Sequence, residues 1–233
     1  MEPTCRGFRP FFIHISNKDK TIMRRLPVYL LLDVSGSMTG EPIEAVKNGV
    51  QTMQAALRKD PHALESAYIS VITFGNSVNQ VVPLTEVAQF QPPSLVASGG
   101  TPFGAALKEV VQCADRELKK STKEVKGDYK PLVFIMTDGS PTDNVEPGIQ
   151  AFKAASWGMV VACAAGAHAD RTVLERLTEN VVTLDTADAS TISAFFKWVS
   201  SSISVGSMKA DGGGELGANE LPPPPPEITL AKP

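Results

Sequence analysis

The sequence has 233 residues, 42% of them hydrophobic and 20% charged, with a formal net charge of −3. This size and composition are typical of one globular domain with tails. The small net charge and the lack of a Lys/Arg-rich run argue against nucleic acid as a partner, and no apolar run reaches the ~18–20 residues of a membrane span. Cys5, Cys113 and Cys163 have no metal-like spacing. Cys113 and Cys163 lie in apolar segments, which favours reduced core thiols in a cytoplasmic protein.

Predicted strands and helices alternate along the chain. Residues 28–33 form an apolar strand, and Gly40-Glu41-Pro42 opens a helix that ends at Asp60-Pro61. Strands at 67–75 and 77–84 meet at a two-residue turn, so the second of them is predicted to be an antiparallel edge strand. The later predicted elements are a helix after residues 99–101, a strand at 132–137, a helix at 143–156, a strand at 158–164, a helix at 170–178, a strand at 180–184 and a helix at 189–203.

This alternation predicts the fold class and the domain limits. We expect an α/β fold with a doubly wound, mostly parallel six-stranded sheet, one antiparallel edge strand and helices on both faces. Residues 1–22 precede the periodic pattern as an N-terminal extension, and residues 23–205 form the domain. Residues 206–233 are rich in Gly and Pro, which predicts a flexible tail. The alternative for this tail is a bound peptide, since Leu221 stands beside five prolines.

Oxygen-bearing side chains follow the ends of the predicted strands. Because ligands bind at the carboxyl ends of the strands in an open parallel sheet, these loops predict a site. Two carboxylates and three hydroxyls, without His or Cys, form a hard-oxygen set that suits Mg²⁺ or Mn²⁺. The candidate metal ligands are Asp33, Ser35, Ser37, Thr101 and Asp138.

The spacing within these loops supports convergence on one ion. Side chains at alternate positions of an extended loop project to the same side, which applies to Asp33, Ser35 and Ser37. The alternative for these three is a helix N-cap and turn. Asp143 is predicted to cap the helix that follows it, and Glu41 borders the site.

These motifs resemble those of von Willebrand factor type A (vWA) domains. "DVSGS" at residues 33–37 matches the D-x-S-x-S signature of that family, while "SGGT" and "TDG" fall where it places its second and third metal loops. The resemblance covers roughly residues 26–203 and implies a metal-ion-dependent adhesion site. It also implies that the three hydroxyls bind Mg²⁺ directly and that the two aspartates act largely through water. A partner's Asp or Glu would complete the octahedron, and Mn²⁺ or Ca²⁺ could substitute.

Within that family, the sequence "MRRLPVYLLLDVSGSMTGEPIEAV" resembles bacterial TerY-type tellurium-resistance proteins. This resemblance implies a cytoplasmic module of a bacterial stress-response system. It also implies partners such as a protein kinase, a phosphatase or other proteins of the resistance operon.

The sequence favours a binding module over an enzyme. It has no G-x-x-x-x-G-K-[ST] phosphate loop, no G-x-G-x-x-G fingerprint after a strand and no G-x-S-x-G elbow. No Lys or His stands in the metal loops as a general base. We therefore expect non-enzymatic, metal-dependent protein binding. The alternatives are a metal-dependent hydrolase or phosphoryl-transfer enzyme that uses the same aspartates, and a scaffold that binds through its tail without metal.

Overall fold

The computed structural model describes residues 24–166, 169–214 and 220–230. The predicted extension at residues 1–22 lies outside the described residues. The strands are β1 (Leu26–Asp33), β2 (Ala67–Phe74), β3 (Val78–Glu86), β4 (Leu132–Thr137), β5 (Met159–Ala165), β6 (Val181–Leu184) and β7 (Thr229–Leu230). The helices are α1 (Glu41–Leu57), α2 (Pro61–Ser66), α3 (Phe103–Glu117), α4 (Glu146–Ala154), α5 (Arg171–Glu175) and α6 (Ala189–Asp211).

The sheet has the order β3-β2-β1-β4-β5-β6-β7. β1 is central and pairs in parallel with β2 on one side and with β4 on the other. The chain therefore leaves β1 in one direction, towards β2 and β3, and later returns to add β4 on the opposite side. Strand order reverses at this point, which is where open α/β sheets bind ligands.

The sheet separates two hydrophobic layers. Every residue of β1 is buried, and its side chains alternate between the layers, with Leu30 in one and Leu31 in the other. Helices α1 and α6 pack together over the first layer, while α3 and α4 cover the second. Burial on both faces explains why β1 is a continuous apolar run.

The predicted α/β architecture is confirmed, with one change in strand number. The parallel strands and the antiparallel edge strand β3 are present. The sheet has seven strands instead of the predicted six, because β7 adds a second antiparallel edge beside β6.

One helix was not predicted, and another extends well beyond its predicted end. Asp60-Pro61 follows the end of α1, as expected, but the same dipeptide also opens α2. There the Asp60 side chain accepts hydrogen bonds from the His62 and Ala63 amides, because Asp at the N-cap followed by Pro is a favourable helix start. Helix α6 continues past the predicted end at residue 203 to Asp211. It continues because Ala210 is still buried and its carbonyl accepts a hydrogen bond from the Tyr129 hydroxyl.

The segment at residues 220–230, here termed the C-terminal strap, lies against the domain, whereas the sequence predicted a flexible tail from residue 206. The indole Nε1 of Trp198 donates to the Pro222 carbonyl at 2.8 Å, and Ile228 is buried in the α1–α6 layer. β7 then pairs with β6. Leu221 also packs against this layer, so residues 220–230 follow the alternative of a bound peptide and not the prediction of a flexible tail. No helix among the described residues is both long and apolar enough to cross a membrane.

Candidate metal centre

Three loops meet at the carboxyl edge of the central strands. Asp33 is the last residue of β1, Asp138 directly follows β4, and Thr101 lies just before α3. Gly139 marks the point of convergence. A Cβ atom placed on it would lie 3.5 Å from Thr101 Oγ1 and 3.8 Å from Ser37 Oγ. The absence of a side chain at Gly139 therefore leaves room between the hydroxyls of the first two loops.

Main-chain hydrogen bonds hold the loops together. The Gly36 amide donates to the Gly99 carbonyl at 2.9 Å, and the Ser98 amide donates to the Val34 carbonyl at 2.7 Å. Gly99 adopts a φ of +80° and packs on the Asn76 backbone, so a larger residue would be strained there. These contacts fix the second loop against the first.

Thr142 joins the second loop to the third. Its amide donates to the Thr101 carbonyl at 2.9 Å, and its Oγ1 accepts from the Thr101 amide at 3.0 Å. The amide and the carbonyl of Thr101 therefore both have hydrogen-bond partners. The Thr101 hydroxyl is not needed to hold the loop, so it remains available for a metal ion.

Asp33 is oriented by two neutral donors. Its Oδ1 accepts from the Ser35 amide at 2.8 Å, and its Oδ2 accepts from Thr137 Oγ1 at 2.6 Å. The side chain is almost completely buried. Burial raises the pKa of the Asp33 carboxyl, and the hydrogen bonds from Ser35 and Thr137 partly oppose this rise. Because each carboxylate oxygen already has a protein partner, Asp33 is better placed to act through a water molecule than as a direct ligand.

The side-chain oxygens of Ser35, Ser37 and Asp138 form a continuous chain. Ser35 Oγ lies 2.9 Å from Ser37 Oγ, and Ser37 Oγ donates to Asp138 Oδ1 at 2.7 Å. Neighbouring ligands of an octahedral Mg²⁺ at 2.0–2.1 Å lie about 2.9 Å apart. The spacing of these oxygens therefore fits adjacent positions around a small, hard cation.

The charge of the site also fits a cation. Within residues 24–166, 169–214 and 220–230, no Lys, Arg or His forms an ion pair with Asp33 or Asp138. In the same part of the chain, no group of three or more His, Cys, Asp and Glu side chains is arranged to hold a metal ion. The candidate centre depends instead on hydroxyls, with two carboxylates supplying the negative charge.

All five predicted site residues lie at this edge of the sheet. Asp33, Ser35, Thr101 and Asp138 are buried, and only Ser37 is exposed. Their role as metal ligands stays a prediction.

The structure adds residues that the sequence patterns did not reveal. Thr137 orients Asp33, and Thr142 orients Thr101, as described above. No local sequence motif indicates such a contact, because the partners lie far apart along the chain. Asp143 caps a helix, but not the following one as predicted. Its carboxylate accepts from the Gly104 and Ala105 amides of α3 at 2.9 and 2.8 Å, because the third loop folds back over the start of α3. Glu41 accepts a hydrogen bond from the Ala189 amide at 3.2 Å, which links α1 to α6.

Comparisons with known proteins agree on one family. The model of the von Willebrand factor type A domain family matches residues 28–197. A von Willebrand factor A domain-containing protein of Dictyostelium discoideum is 24% identical over 147 residues. That match covers 59% of this chain but only 14% of the curated relative.

Solved structures with similar folds come from distant sources. Proximal thread matrix protein 1 from the mussel byssus, solved with a zinc-occupied MIDAS motif, has a TM-score of 0.55 at 20% identity, covering 76% of this chain and 48% of that one. The pilus adhesin SpaC of Lactobacillus rhamnosus GG has a TM-score of 0.60 at 16% identity, covering 78% and 30%. A von Willebrand factor type A protein of Catenulispora acidiphila has a TM-score of 0.54 at 14% identity, covering 78% and 43%.

Proposed function

Because this chain belongs to the von Willebrand factor type A domain family, we propose that it is a non-enzymatic binding module. It takes an Asp or Glu of a partner protein at a Mg²⁺ held by Asp33, Ser35, Ser37, Thr101 and Asp138. The observation that carries this proposal is the chain of oxygens that joins the first and third loops, in which Ser35, Ser37 and Asp138 lie 2.9 and 2.7 Å apart. The Thr101 hydroxyl of the second loop faces the same space beside Gly139.

The donor set supports binding of an anionic partner. Ser35, Ser37 and Thr101 would hold the ion through neutral hydroxyls, while Asp33 and Asp138 neutralise part of its charge, largely through water. When bound, the ion supplies a positive site that attracts a carboxylate from outside the protein. Ser37 is exposed, so the site faces solvent where a partner can approach.

The choice of metal follows from ligand hardness. Hydroxyl and carboxylate oxygens suit Mg²⁺, and Mn²⁺ or Ca²⁺ can take the same ligands. The mussel relative carries zinc at its MIDAS motif, so Zn²⁺ belongs among the ions tested.

The likeness to TerY-type proteins supports a biological setting. We place the chain in the cytoplasm of a bacterium, in a tellurite or other stress-resistance system whose kinase, phosphatase or further operon products carry the acidic residue. Deletion of the gene should then lower the tellurite concentration that the host tolerates. Unchanged tolerance would remove tellurite from the proposal and leave the binding function standing.

Partner capture in the presence and absence of metal tests the binding function. Wild-type protein and the Ser37→Ala variant are used as bait in host lysate, each with Mg²⁺ and with excess EDTA. Ser37 is exposed, so its replacement leaves the core unchanged. We expect a partner that wild type retains only with Mg²⁺ and that Ser37→Ala does not retain.

Ser140→Ala is the matched control, because Ser140 is an exposed serine in the same loop as Asp138. It should capture the partner as wild type does. Capture that continues in EDTA, or that Ser37→Ala retains fully, would contradict a metal-dependent function and favour binding through another surface.

A further inference from the structure

A small pocket lies beside the candidate metal centre. It has a volume of about 190 Å³ and lies between the β2–β3 hairpin and residues 94–98. We term it the flanking pocket, and the lining residues that matter here are Val34, Asn76, Ser77, Val81, Val96 and Ser98.

The flanking pocket and the metal centre share their walls. Val34 stands between Asp33 and Ser35 in the first loop, and its carbonyl accepts the Ser98 amide at 2.7 Å. Ser98 in turn precedes the glycines that lead to Thr101. A partner segment bound at the metal centre therefore passes next to the flanking pocket, and each residue of an extended segment advances about 3.3 Å.

The lining of the flanking pocket is uncharged and its rim is apolar. Val96 is 72% exposed and Val81 is 41% exposed. They are two of the five large hydrophobic side chains that are exposed in the described part of the chain. Exposed aliphatic groups on both sides of a pocket gain free energy when another apolar side chain covers them.

Polar groups in and next to the turn of the hairpin can hold a peptide main chain. Asn79 Nδ2 donates to Ser77 Oγ at 2.6 Å, which fixes that side of the turn. The neighbouring Asn76 side chain is exposed and forms no hydrogen bond with any described residue. A carboxamide carries both a donor and an acceptor, so it can pair with both groups of a peptide bond.

From these observations we infer a specificity subsite. The flanking pocket receives an aliphatic side chain, such as Val, Ile or Leu, that lies one or two residues from the metal-bound acidic residue in an extended partner segment. A charged side chain at that position is disfavoured, because it would lose water without gaining an ionic partner. This inference rests on the proposed function and narrows it to a partner motif of one acidic and one aliphatic residue.

Selection from a displayed peptide library tests the subsite. The library fixes a central Asp or Glu and randomises three residues on each side, and selection uses wild-type protein with Mg²⁺. We expect enrichment of Val, Ile and Leu at one position within two residues of the acid. A selected peptide should bind the Val96→Asp variant about tenfold more weakly, which corresponds to the loss of roughly one buried aliphatic contact.

Val125→Asp is the matched control. Val125 is also an exposed valine, at 47%, but it lies in the connection between α3 and β4 at the opposite edge of the sheet. This variant should bind the selected peptide with wild-type affinity.

The outcomes separate this inference from the proposed function. If peptides bind only with Mg²⁺ but show no aliphatic preference, or if Val96→Asp binds as wild type does, the subsite is refuted and the proposed function stands. If no acidic peptide binds in a metal-dependent way, both are refuted. If Val125→Asp weakens binding as much as Val96→Asp, a general charge effect explains the loss and the subsite is refuted.

Discussion

Buried carboxylates at the two ends of the sheet differ in the charge of the groups that donate hydrogen bonds to them. At the amino-terminal end, the side chain of Asp128 is 4% exposed and pairs with Arg25. Two nearly parallel hydrogen bonds join them, from Arg25 Nε to Asp128 Oδ1 at 2.8 Å and from Arg25 Nη2 to Oδ2 at 2.5 Å. The hydrogen bond with Asp128 raises the pKa of Arg25, so the guanidinium stays charged beside this carboxylate.

At the carboxyl end, Asp33 and Asp138 are also buried, yet their donors are neutral hydroxyls and one amide. A buried carboxylate without a positive partner costs free energy. At the amino-terminal end, Arg25 neutralises the carboxylate. At the carboxyl end, the two carboxylates have no positive partner among the described residues, and the proposed cation would supply one. This difference separates a structural ion pair from the candidate metal centre.

The largest expected effect comes from removing the Arg25–Asp128 ion pair at the amino-terminal end of the sheet. Arg25→Met removes the positive partner and leaves Asp128 buried and charged, so the free energy of unfolding should fall by about 3–5 kcal/mol. Urea denaturation measures this loss. The exposed pair Arg171–Glu175 provides the control, since Arg171→Met should cost less than about 1 kcal/mol. Equal losses in the two variants would show that the Arg25–Asp128 pair is not special.

Binding of Mg²⁺ at the candidate metal centre should have the next largest effect on stability. Mg²⁺ at a hundredfold excess over its dissociation constant should raise the free energy of unfolding by about 2.7 kcal/mol, provided that it binds only the folded chain. Denaturation curves in Mg²⁺ and in EDTA measure the difference. A midpoint that does not change across the titration would mean that the carboxyl edge holds no ion.

The contact between Trp198 and the C-terminal strap should contribute to stability independently of metal. Trp198→Phe removes the indole hydrogen bond to Pro222 in the C-terminal strap, and we expect a loss of about 1 kcal/mol. The gain in stability from Mg²⁺ should remain as in wild type. If that gain were lost as well, the C-terminal strap and the metal centre would be coupled and the comparison of the two ends would have to include it.

The smallest expected effect sharpens the comparison most. Asp138→Asn keeps an oxygen that can accept from Ser37 but removes the negative charge, so stability in EDTA should stay within about 1 kcal/mol of wild type. The stabilisation by Mg²⁺ should disappear. A loss in EDTA as large as that of Arg25→Met would show that the negative charge of Asp138 stabilises the fold in the absence of metal.

Local patterns predicted the site better than they predicted the contacts around it. The apolar run of β1 followed by Asp33 indicated both a strand and the loop that carries the candidate ligands, because strand ends and loop chemistry are local. The pair Arg25–Asp128 joins residues 103 positions apart, and nothing near either residue indicates that they meet.

The same distinction explains the differences in the fold. Asp60-Pro61 is a stop signal for α1 and also a start signal for α2, and only the stop was predicted. The C-terminal strap was read from its Gly and Pro content as flexible, although Ile228 and Leu221 bind to a surface formed by distant residues. Composition predicts how a segment behaves when it is free, but it does not indicate whether the folded domain offers a surface on which the segment can pack.

Direct titration of Mg²⁺ into the metal-free chain, followed by calorimetry, tests the central claim. Wild type is compared with Thr101→Val, which removes one hydroxyl while the main-chain hydrogen bonds of residue 101 to Thr142 remain, and with Ser140→Ala as the control. We predict one ion per chain for wild type and Ser140→Ala, and about tenfold or greater weakening for Thr101→Val. No binding by wild type, or equal binding by Thr101→Val, would contradict a metal centre at this edge of the sheet.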